Sequence, residues 1–463
     1  MTEPRRFHIR TFGCQMNDHD SERVAGLLVA DGMQPTPDME QADVVIFNTC
    51  CIRENADNKL YGHLGRAKAL KEQRPDLQIA VGGCLAQKDR DLIVQRAAHV
   101  DVVFGTHNLA NAPALLERSR FDGPIVEILE EHDAYPSALP ARRQHRHAAW
   151  VTIQIGCDNK CAFCIVPSVR GREVSRRMGD IVREVEQQVA DGVREVTLLG
   201  QNVNSYGRDL GAGRYAPRFA DLLRVLDAID GLERIRYTSP HPKDLRSETI
   251  AAMAECDAVC EHLHLPLQSG SDRTLARMHR GYTVERYLAR LAEARAAIPG
   301  LAVTTDIIVG FPGETDADFE RTLEVVEVAE YDAAYTFVFS PRPGTEAATM
   351  HDDFIDPAVT KDRMQRLTSA VERHALVKHE ARLGRDEEVL IDGPSKNDAA
   401  MCSGRTRGNK LVHFDGGPVP PEPGGFATVR ITHAAPHWLR GDLVALTRAA
   451  PLHPHTRIPV TAG

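Results

Sequence analysis

Residues 150–164 read WVTIQIGCDNKCAFC, a strand-like run that ends in a loop with three cysteines. The spacing, three intervening residues and then two, offers the thiolates of Cys157, Cys161 and Cys164 to one metal centre. Four thiolates would close an iron–sulfur cluster, whereas three leave one iron open to a substrate or cofactor. Structural zinc is the alternative, but it favours paired two-residue spacings and a fourth ligand, which the nearby sequence lacks. We therefore predict an iron–sulfur cluster with an open position.

From Trp150 onward, strand-like and helix-like patterns alternate six times. Six βα units are too few for a closed eight-stranded barrel, so we predict an open, partial (βα)6 barrel of the TIM type over residues 143–375. Such barrels carry their chemistry at the C-terminal ends of the strands, where the cysteine loop falls. The predicted strands are Val151–Ile155, Glu195–Leu199, Arg234–Thr238, His262–Leu267, Val303–Val309 and Ala334–Phe339.

The remaining sequence predicts two smaller domains around this α/β core. Residues 1–122 alternate strand and helix signals, which indicates a doubly wound parallel α/β domain. Residues 123–142 are rich in proline and are predicted to be a linker. Residues 376–448 contain short β-like segments between Gly- and Asn-rich turns, typical of a small antiparallel β-barrel. We expect residues 449–463 to be a flexible tail.

A second set of cysteines ends three strands of the N-terminal domain. Cys14, Cys50 and Cys84 each follow a strand-like run, and glycine precedes Cys14 and Cys84. Because the C-terminal ends of parallel strands meet at one edge of a sheet, the three thiols are expected to converge. Three buried free cysteines are the alternative, since cysteine packs as a small hydrophobe. Cys51 adjoins Cys50, but the strand register favours Cys50, and we predict a second metal centre on these three residues.

Composition limits the classes of function. The chain has 463 residues, ten cysteines and a formal net charge of −9. Ten cysteines in a reducing compartment favour metal or redox chemistry over disulfides. With no signal-peptide pattern and no apolar run near the roughly 20 residues of a membrane span, we expect a cytoplasmic protein with no membrane partner. The net charge does not indicate nucleic acid. A basic set flanks the cysteine loop, and although such runs are usually solvated surface, their position beside the predicted centre adds weight to phosphate contact: Arg142, Arg143, His145, Arg146, His147, Arg170, Arg172, Arg176 and Arg177.

The two triads, one per domain, resemble those of the radical S-adenosylmethionine methylthiotransferases over nearly the entire chain. The resemblance implies a methylthiotransferase N-terminal domain, a radical S-adenosylmethionine core and a TRAM-like RNA-binding domain. In that family the open iron chelates S-adenosylmethionine, and one electron releases a 5′-deoxyadenosyl radical. The implied ligands are Cys14, Cys50 and Cys84 for an auxiliary [4Fe–4S] cluster, and Cys157, Cys161 and Cys164 for the radical [4Fe–4S] cluster.

The local sequences further resemble the family members that act on dimethylallyladenosine in tRNA. They read TFGCQMN at 11–17, NTCCIRENADNK at 48–59, LHLPLQSGSDRTLARMHRGYT at 263–283 and GRTRGNKLVHF at 404–414. Those members usually carry serine where this chain has Cys51. The resemblance implies methylthiolation of carbon 2 of that base at position 37, beside the anticodon, with a second S-adenosylmethionine as methyl donor.

Two alternatives remain for the function. The same chemistry on threonylcarbamoyladenosine in tRNA or on a ribosomal-protein aspartate is one, although ribosomal-protein members typically carry Pro-Lys where this chain has Gln15 and Met16. A zinc-bound nucleic-acid-binding module without catalysis is the other. The implied partners of the enzyme are tRNA, an electron donor such as flavodoxin or ferredoxin, and an iron–sulfur carrier.

Strand ends and basic loops supply further candidate residues. Residues after the predicted barrel strands and beside Cys164 are candidates for binding S-adenosylmethionine, although each of these strand ends is equally readable as a plain turn. Basic residues in the C-terminal domain are candidates for binding tRNA phosphates, with a solvated surface as the alternative. The cofactor candidates are Phe163, Gly200, Gln201, Asn202, Ser239, Gln268 and Gly310, and the RNA candidates are Arg405, Arg407 and Lys410.

Overall fold

The structure is a computed structural model that describes residues 3–51, 54–130, 140–211, 218–396 and 398–451. The greater part of the predicted flexible tail, residues 452–463, lies outside the described residues. No described helix combines the length and apolar character needed to cross a bilayer.

A six-stranded parallel sheet forms the N-terminal domain, in the strand order β2-β1-β3-β4-β5-β6. Apolar side chains of α1 and α5 cover one face, and those of α2, α3 and α4 cover the other. The doubly wound fold that we predicted is therefore confirmed. Its elements are β1 (Arg6–Phe12), α1 (Gln15–Ala30), β2 (Gln34–Pro35), β3 (Val44–Thr49), α2 (Glu54–Gln73), β4 (Gln78–Gly83), α3 (Cys84–Asp89), α4 (Asp91–Arg96), β5 (Val102–Phe104), α5 (Ala112–Asp122) and β6 (Ile125–Glu127).

The central domain is the predicted partial barrel. Two three-stranded parallel sheets, β7-β10-β11 and β12-β13-β14, are joined by backbone bonds from Ile235 N to Ala258 O (2.7 Å) and from Cys260 N to Ile235 O (3.0 Å). Its elements are β7 (Ala148–Thr152), β8 (Gln154–Ile155), α6 (Val166–Arg170), β9 (Val174–Ser175), α7 (Met178–Ala190), β10 (Glu195–Leu199), α8 (Phe219–Asp227), β11 (Arg234–Tyr237), α9 (Ser247–Glu255), β12 (His262–His264), α10 (Asp272–Arg277), α11 (Val284–Ala297), β13 (Ala302–Val309), α12 (Asp316–Ala329), β14 (Ala333–Val338) and α13 (Pro357–Glu380).

Alternation along the strands divides the barrel into an outer and an inner face. On β13, Val303, Ile307 and Val309 pack into the main apolar core beneath the helices. Because successive side chains of a strand point to opposite faces, Thr304 and Asp306 face the barrel interior. The helix-covered face is therefore apolar, whereas the interior carries polar groups that a ligand can meet.

The C-terminal domain is a closed five-stranded barrel in the order β15-β16-β17-β19-β18. The predicted small β-barrel is confirmed, with one strand more than the four that the sequence pattern indicated, at Glu388–Ile391, Lys410–Phe414, Ala427–Ile431 and Leu443–Thr447. The missed strand reads MCSGRT, which is polar and contains glycine, so it carries little β signal of its own. The strands are β15 (Asp386–Pro394), β16 (Met401–Thr406), β17 (Leu411–Asp415), β18 (Phe426–Ala435) and β19 (Trp438–Arg448).

The segment predicted as a linker takes part in structure at both of its described ends. Residues 125–127 form β6, which pairs with β5 and extends the N-terminal sheet. Farther along, Arg142 N donates to Glu22 O of α1 at 2.8 Å. A strand of three residues is too short to show the alternation of apolar and polar side chains that identifies a strand. The neighbouring prolines were therefore the stronger signal, and they indicated a linker. The domain boundaries themselves stay predictions.

Candidate metal and substrate site

Cys157, Cys161 and Cys164 lie on the loop between β8 and α6, above the C-terminal ends of the barrel strands. Cys164 N donates to Cys161 O at 3.0 Å, and Cys157 N donates to Gly171 O at 3.1 Å, so the loop is tightly folded. Burial raises the pKa of Cys157 to about 11 and that of Cys164 to about 12, and the neighbouring thiolates add to both shifts. Thiolates in this environment need a compensating cation, which fits a metal centre.

Arg280 places a positive charge directly on this triad. Its Nη1 donates to Cys161 Sγ at 3.2 Å, and its guanidinium lies 5.6 Å from the ring centroid of Tyr282. Burial alone would lower the pKa of Arg280, but the Tyr282 and Cys161 side chains raise it above the ordinary arginine value. The sequence analysis missed Arg280, because nothing in its spacing indicates a contact with Cys161.

The N-terminal cysteines converge at one edge of their sheet, as the strand ends predicted. Cys14 caps α1, Cys50 directly follows β3, and Cys84 begins α3. The three strands involved, β1, β3 and β4, are neighbours in the sheet. A Cβ atom added to Gly13 would lie 2.6 Å from Cys50 Cβ, so glycine is needed for this close approach.

The thiols of this group interact in two pairs. The Cys50 thiol donates to Cys14 and lowers the pKa of Cys14 to about 6, against the effect of burial. The Cys51 thiol donates to Cys84, which lowers the pKa of Cys84 and raises that of Cys51 well above its usual range. The lowered pKa values of Cys14 and Cys84 favour the thiolate form, which is the form that binds a metal.

The five-residue helix α6 connects the two cysteine groups. It begins just after Cys164 and ends at Arg170, whose Nη2 lies 2.8 Å from Asp20 Oδ2 of α1. Burial opposes the charge on Arg170, but Asp20 and the thiols of Cys84 and Cys14 raise the pKa of Arg170 well above the usual range. Apolar side chains on and just before α6 also pack in one cluster with Cys51 and Cys84. The two cysteine groups thus share one interface between the domains.

The donor atoms of the two cysteine groups are those of iron–sulfur clusters. Among the described residues, no group of three His, Cys, Asp or Glu side chains is arranged to hold a single metal ion. A tetrahedral zinc ion would require sulfur atoms about 2.3 Å from a common centre, whereas the thiolates of a four-iron cluster bind separate irons. The donor set is thiolate throughout, and a buried arginine compensates each group. Both groups of cysteines therefore suit iron–sulfur clusters.

Unsatisfied polar atoms mark the barrel mouth beside the cysteine loop. Asn202 Nδ2 donates to Asp244 Oδ2 at 2.7 Å, while Asn202 Oδ1 is buried without a hydrogen-bond partner among the described residues. Gln154 Oε1 and His241 Nε2 are also buried without a hydrogen-bond partner among the described residues. Buried polar atoms normally have partners, so these three atoms indicate a place where a polar ligand binds. Of the three, Asn202 was among our predicted cofactor residues, and His241 ends the predicted stretch that begins at Ser239, whereas Gln154 was not predicted.

The other predicted cofactor residues shape the strand ends. A Cβ atom on Gly200 would lie 2.8 Å from Gln154 Cγ, and Gln201 beside it is partly exposed. Ser239 and Gln268 have left-handed backbones, with φ of 59° and 67°. Such strain in non-glycine residues clusters at binding sites, which favours functional turns at both positions.

Phe163 and Gly310 lie on the apolar side of the mouth. The Phe163 ring packs edge-on against Phe311, with 6.5 Å between centroids. Gly310 N donates to Glu314 Oε2 at 2.8 Å, and Gly310 also lines a separate apolar cavity of about 480 Å³ beside α13. Phe163 thus lies within the cysteine loop. Gly310 lies between that loop and the helix α13.

The structure contradicts one of the three predicted RNA contacts and shows a second in an ion pair within the protein. Arg407 donates twice to the carboxylate of Glu261, at 2.8 and 2.9 Å, and Lys410 Nζ contacts Asp332 Oδ1 at 2.5 Å with both side chains buried. Both pairs tie the C-terminal barrel to the central domain. Lys410 is buried in its pair and is not available to phosphates, whereas 27% of the Arg407 side chain remains exposed. Arg405 alone of the three is exposed.

The basic residues around the cysteine loop likewise include buried, paired side chains and exposed ones. Arg143 pairs with Asp191 at 3.5 Å, and the fully buried Arg176 pairs with Glu184 at 2.6 Å. Arg172 and Arg177 are exposed. Arg143 and Arg176 are therefore buried in ion pairs within the protein, and they do not contribute positive charge to its surface.

Comparison with known proteins gives three matching family models, one for each domain. Residues 6–105 match the uncharacterized protein family UPF0004, residues 151–326 the radical SAM superfamily, and residues 380–444 the TRAM domain. Among solved structures, the radical S-adenosylmethionine methyltransferase TsrM from Kitasatospora setae has a TM-score of 0.54 at 13% identity and covers 74% of this chain and 75% of its own. At that identity the likeness extends to the fold alone.

Two relatives are similar over almost the whole chain. The tRNA-2-methylthio-N(6)-dimethylallyladenosine synthase of Acidothermus cellulolyticus is 56% identical over 95% of this chain and 88% of its own length. The synthase of the same name from Nocardioides sp. is 54% identical over 95% of this chain and 89% of its own. With matches of this identity and coverage, and with a family model for each domain, this chain belongs to the family of tRNA-2-methylthio-N(6)-dimethylallyladenosine synthases.

Proposed function

We propose that this protein methylthiolates carbon 2 of dimethylallyladenosine at position 37 of tRNA, next to the anticodon. The observation that carries the proposal is the pair of cysteine groups joined by α6, in a chain 56% identical to a synthase of that name over 95% of its length. The two cysteine groups meet at one interface, as a reaction that needs both would require.

The cysteines have separate roles in this proposal. Cys157, Cys161 and Cys164 would hold the radical [4Fe–4S] cluster, and Cys14, Cys50 and Cys84 would hold the auxiliary one. With S-adenosylmethionine as radical source and methyl donor, such clusters would supply the radical chemistry that breaks an unactivated C–H bond and the sulfur that replaces the hydrogen.

Residues of the barrel mouth position the cofactor and exclude water. Asn202 Oδ1, Gln154 Oε1 and His241 Nε2 are buried acceptors or donors that a bound S-adenosylmethionine would satisfy. Burial lowers the pKa of His241 to about 2, so its ring stays neutral there. The candidates Gly200, Gln201, Ser239, Gln268, Gly310 and Phe163 frame the same mouth.

The tRNA partner contacts the C-terminal barrel and delivers one base to the interior. A loop base is readily splayed out of its stack, so the anticodon loop suits a buried reaction centre. Arg405 remains our proposed phosphate contact. A flavodoxin or ferredoxin as electron donor, an iron–sulfur carrier and a cytoplasmic location complete the proposal.

The decisive experiment is mass spectrometry of tRNA nucleosides from a strain that lacks the gene. We expect loss of methylthio-dimethylallyladenosine and accumulation of dimethylallyladenosine, with both reversed by the wild-type gene but not by a Cys157→Ala variant. An unchanged level of the methylthio nucleoside would overturn the proposal, and loss of the threonylcarbamoyl counterpart instead would identify the other substrate.

Anaerobic purification with iron, sulfide and zinc analysis tests the non-catalytic alternative. Two four-iron clusters require about eight iron atoms and eight sulfides per chain. Zinc without iron would identify a zinc-bound nucleic-acid-binding module and reject the enzyme.

A further inference from the structure

Two exposed aromatic rings line the open edge of the partial barrel. β14 is the last barrel strand, and among the described strands it pairs only with β13. On it, Tyr335 is 60% exposed and Phe337 is 37% exposed. Neighbouring exposed aromatic rings on one strand form a patch of the kind that marks a binding site. We call these two side chains the aromatic wall.

The aromatic wall faces the barrel interior. In the register of the two strands, Tyr335 lies beside Asp306 and Phe337 beside Ile308. Asp306 belongs to the inner face, and the Tyr335 ring packs edge-on against His264 of β12, with 6.0 Å between centroids. The next residue, Val338, points the other way and lines the cavity against α13.

The interior that the wall faces lies between the two cysteine groups. At its upper end, Ile308 packs in one cluster with Phe163 of the cysteine loop. At the opposite barrel edge, Trp150 of β7 packs in one cluster with Met16 and Cys14 of the N-terminal domain. A molecule resting on the aromatic wall therefore lies within the space that both cysteine groups border.

A hydrogen-bond acceptor lies beside the rings. The Asp306 carboxylate is partly exposed, and its Oδ2 is 3.5 Å from His264 Nε2. His264 Nδ1 is in turn 3.0 Å from Thr304 Oγ1, which fixes the orientation of the ring. Two π-faces next to a carboxylate suit a flat aromatic base that carries an N–H donor.

We propose that the aromatic wall, Tyr335 and Phe337, is the platform on which the splayed adenine base stacks, with Asp306 accepting from its exocyclic N6–H. The proposal rests on the proposed function and specifies where the base binds. Stacking on the two aromatic rings fixes the plane of the adenine, and the hydrogen bond to Asp306 fixes which edge of the base faces the carboxylate. An N6-substituted adenine keeps one N–H, so it satisfies both contacts.

The test compares Phe337→Ala and Tyr335→Ala with the matched control Val338→Ala, which removes an exposed side chain from the opposite face of the same strand. The probe is an anticodon stem-loop RNA with dimethylallyladenosine at position 37. Loss of one stacking ring is expected to weaken RNA binding and raise KM on the order of 10-fold. Formation of 5′-deoxyadenosine without RNA should stay unchanged, and Phe337→Trp should bind nearly as wild type.

Equal RNA affinity in wild type and both alanine variants would overturn the platform, and so would an equal loss in Val338→Ala. Failure of the proposed function looks different. In that case the wild-type enzyme forms no methylthio product from this RNA, whereas the platform is judged from equilibrium binding alone.

Discussion

Arg280 lies against Cys161 as a buried cation, with 3.2 Å between Nη1 and Sγ. Hydrogen bonds and positive charge at the sulfur atoms of a cluster stabilise its reduced, more negative state. Its contact partner is 119 residues away in the chain, so no local pattern predicts it. The cysteines, by contrast, were predictable from spacing and strand ends, because each of those signals is local.

Replacing Arg280 by glutamine should therefore lower the reduction potential of the radical cluster, on the order of 60 mV, since a hydrogen bond to a charged group contributes about 1.5–3 kcal/mol. A redox titration followed by electron paramagnetic resonance measures this shift. Arg277→Gln, which alters a surface pair with Asp353, is the control. Equal potentials in wild type and Arg280→Gln would contradict the role of this hydrogen bond.

Cys51 is a second test at this scale, since it is as buried as Cys50. β3 ends at Thr49, and Cys51 packs in the apolar cluster against α2 and α3. We expect Cys51→Ser to keep the full iron content, and Cys50→Ala to lose about half of it when one of two equal clusters is absent. Iron and sulfide analysis of anaerobically prepared protein measures this difference. An equal loss of iron in both variants would show that Cys51 is also a cluster ligand.

At the scale of elements, the strands with clear periodicity were predicted to within a few residues. β10 was predicted with its observed bounds, whereas β16 was missed because its sequence is polar and glycine-containing. The loop before β17 shows a different limit of sequence analysis. We predicted Lys410 to be a phosphate contact because its ion-pair partner, Asp332, is 78 residues away and no local pattern indicates the pair.

The contact between the C-terminal barrel and the central domain should depend on Lys410. Lys410→Met leaves Asp332 buried without its partner, and breaking a buried pair costs about 3–5 kcal/mol. We expect a lower urea midpoint without a proportionate change in tRNA affinity for the folded protein. Lys410→Met with Asp332→Asn should recover part of the stability. A variant with unchanged stability but weaker tRNA binding would restore Lys410 as a phosphate contact.

For the whole molecule, the contact between the N-terminal and central domains includes a buried acid. Glu22 of α1 accepts from Gln144 N at 2.8 Å. Burial raises the pKa of Glu22 to about 7, in spite of this bond and of Arg143 nearby. The folded protein therefore binds a proton on Glu22 that the unfolded chain has already released between about pH 4.5 and 7.

The contribution of Glu22 to the unfolding free energy should thus be fully present below about pH 4.5, should be lost as the pH rises from about 4.5 to about 7, and should change no further above pH 7. Glu22→Gln, which stays neutral, should be more stable than wild type at pH 8 by about 3 kcal/mol and equal to it at pH 4. Urea unfolding at both pH values measures the difference. Glu186→Gln on an exposed face of α7 is the control, and an equal pH effect there would contradict the assignment.

The helix α6 sets the position of the cysteine loop against the N-terminal domain. Cys164 and Arg170 are six positions apart, and Arg170 pairs with Asp20 of α1 at 2.8 Å. Ile165 and Val169 of the same segment pack in one cluster with Cys51 and Cys84. The alignment of the two cysteine groups therefore depends on noncovalent contacts made by the side chains of one short segment.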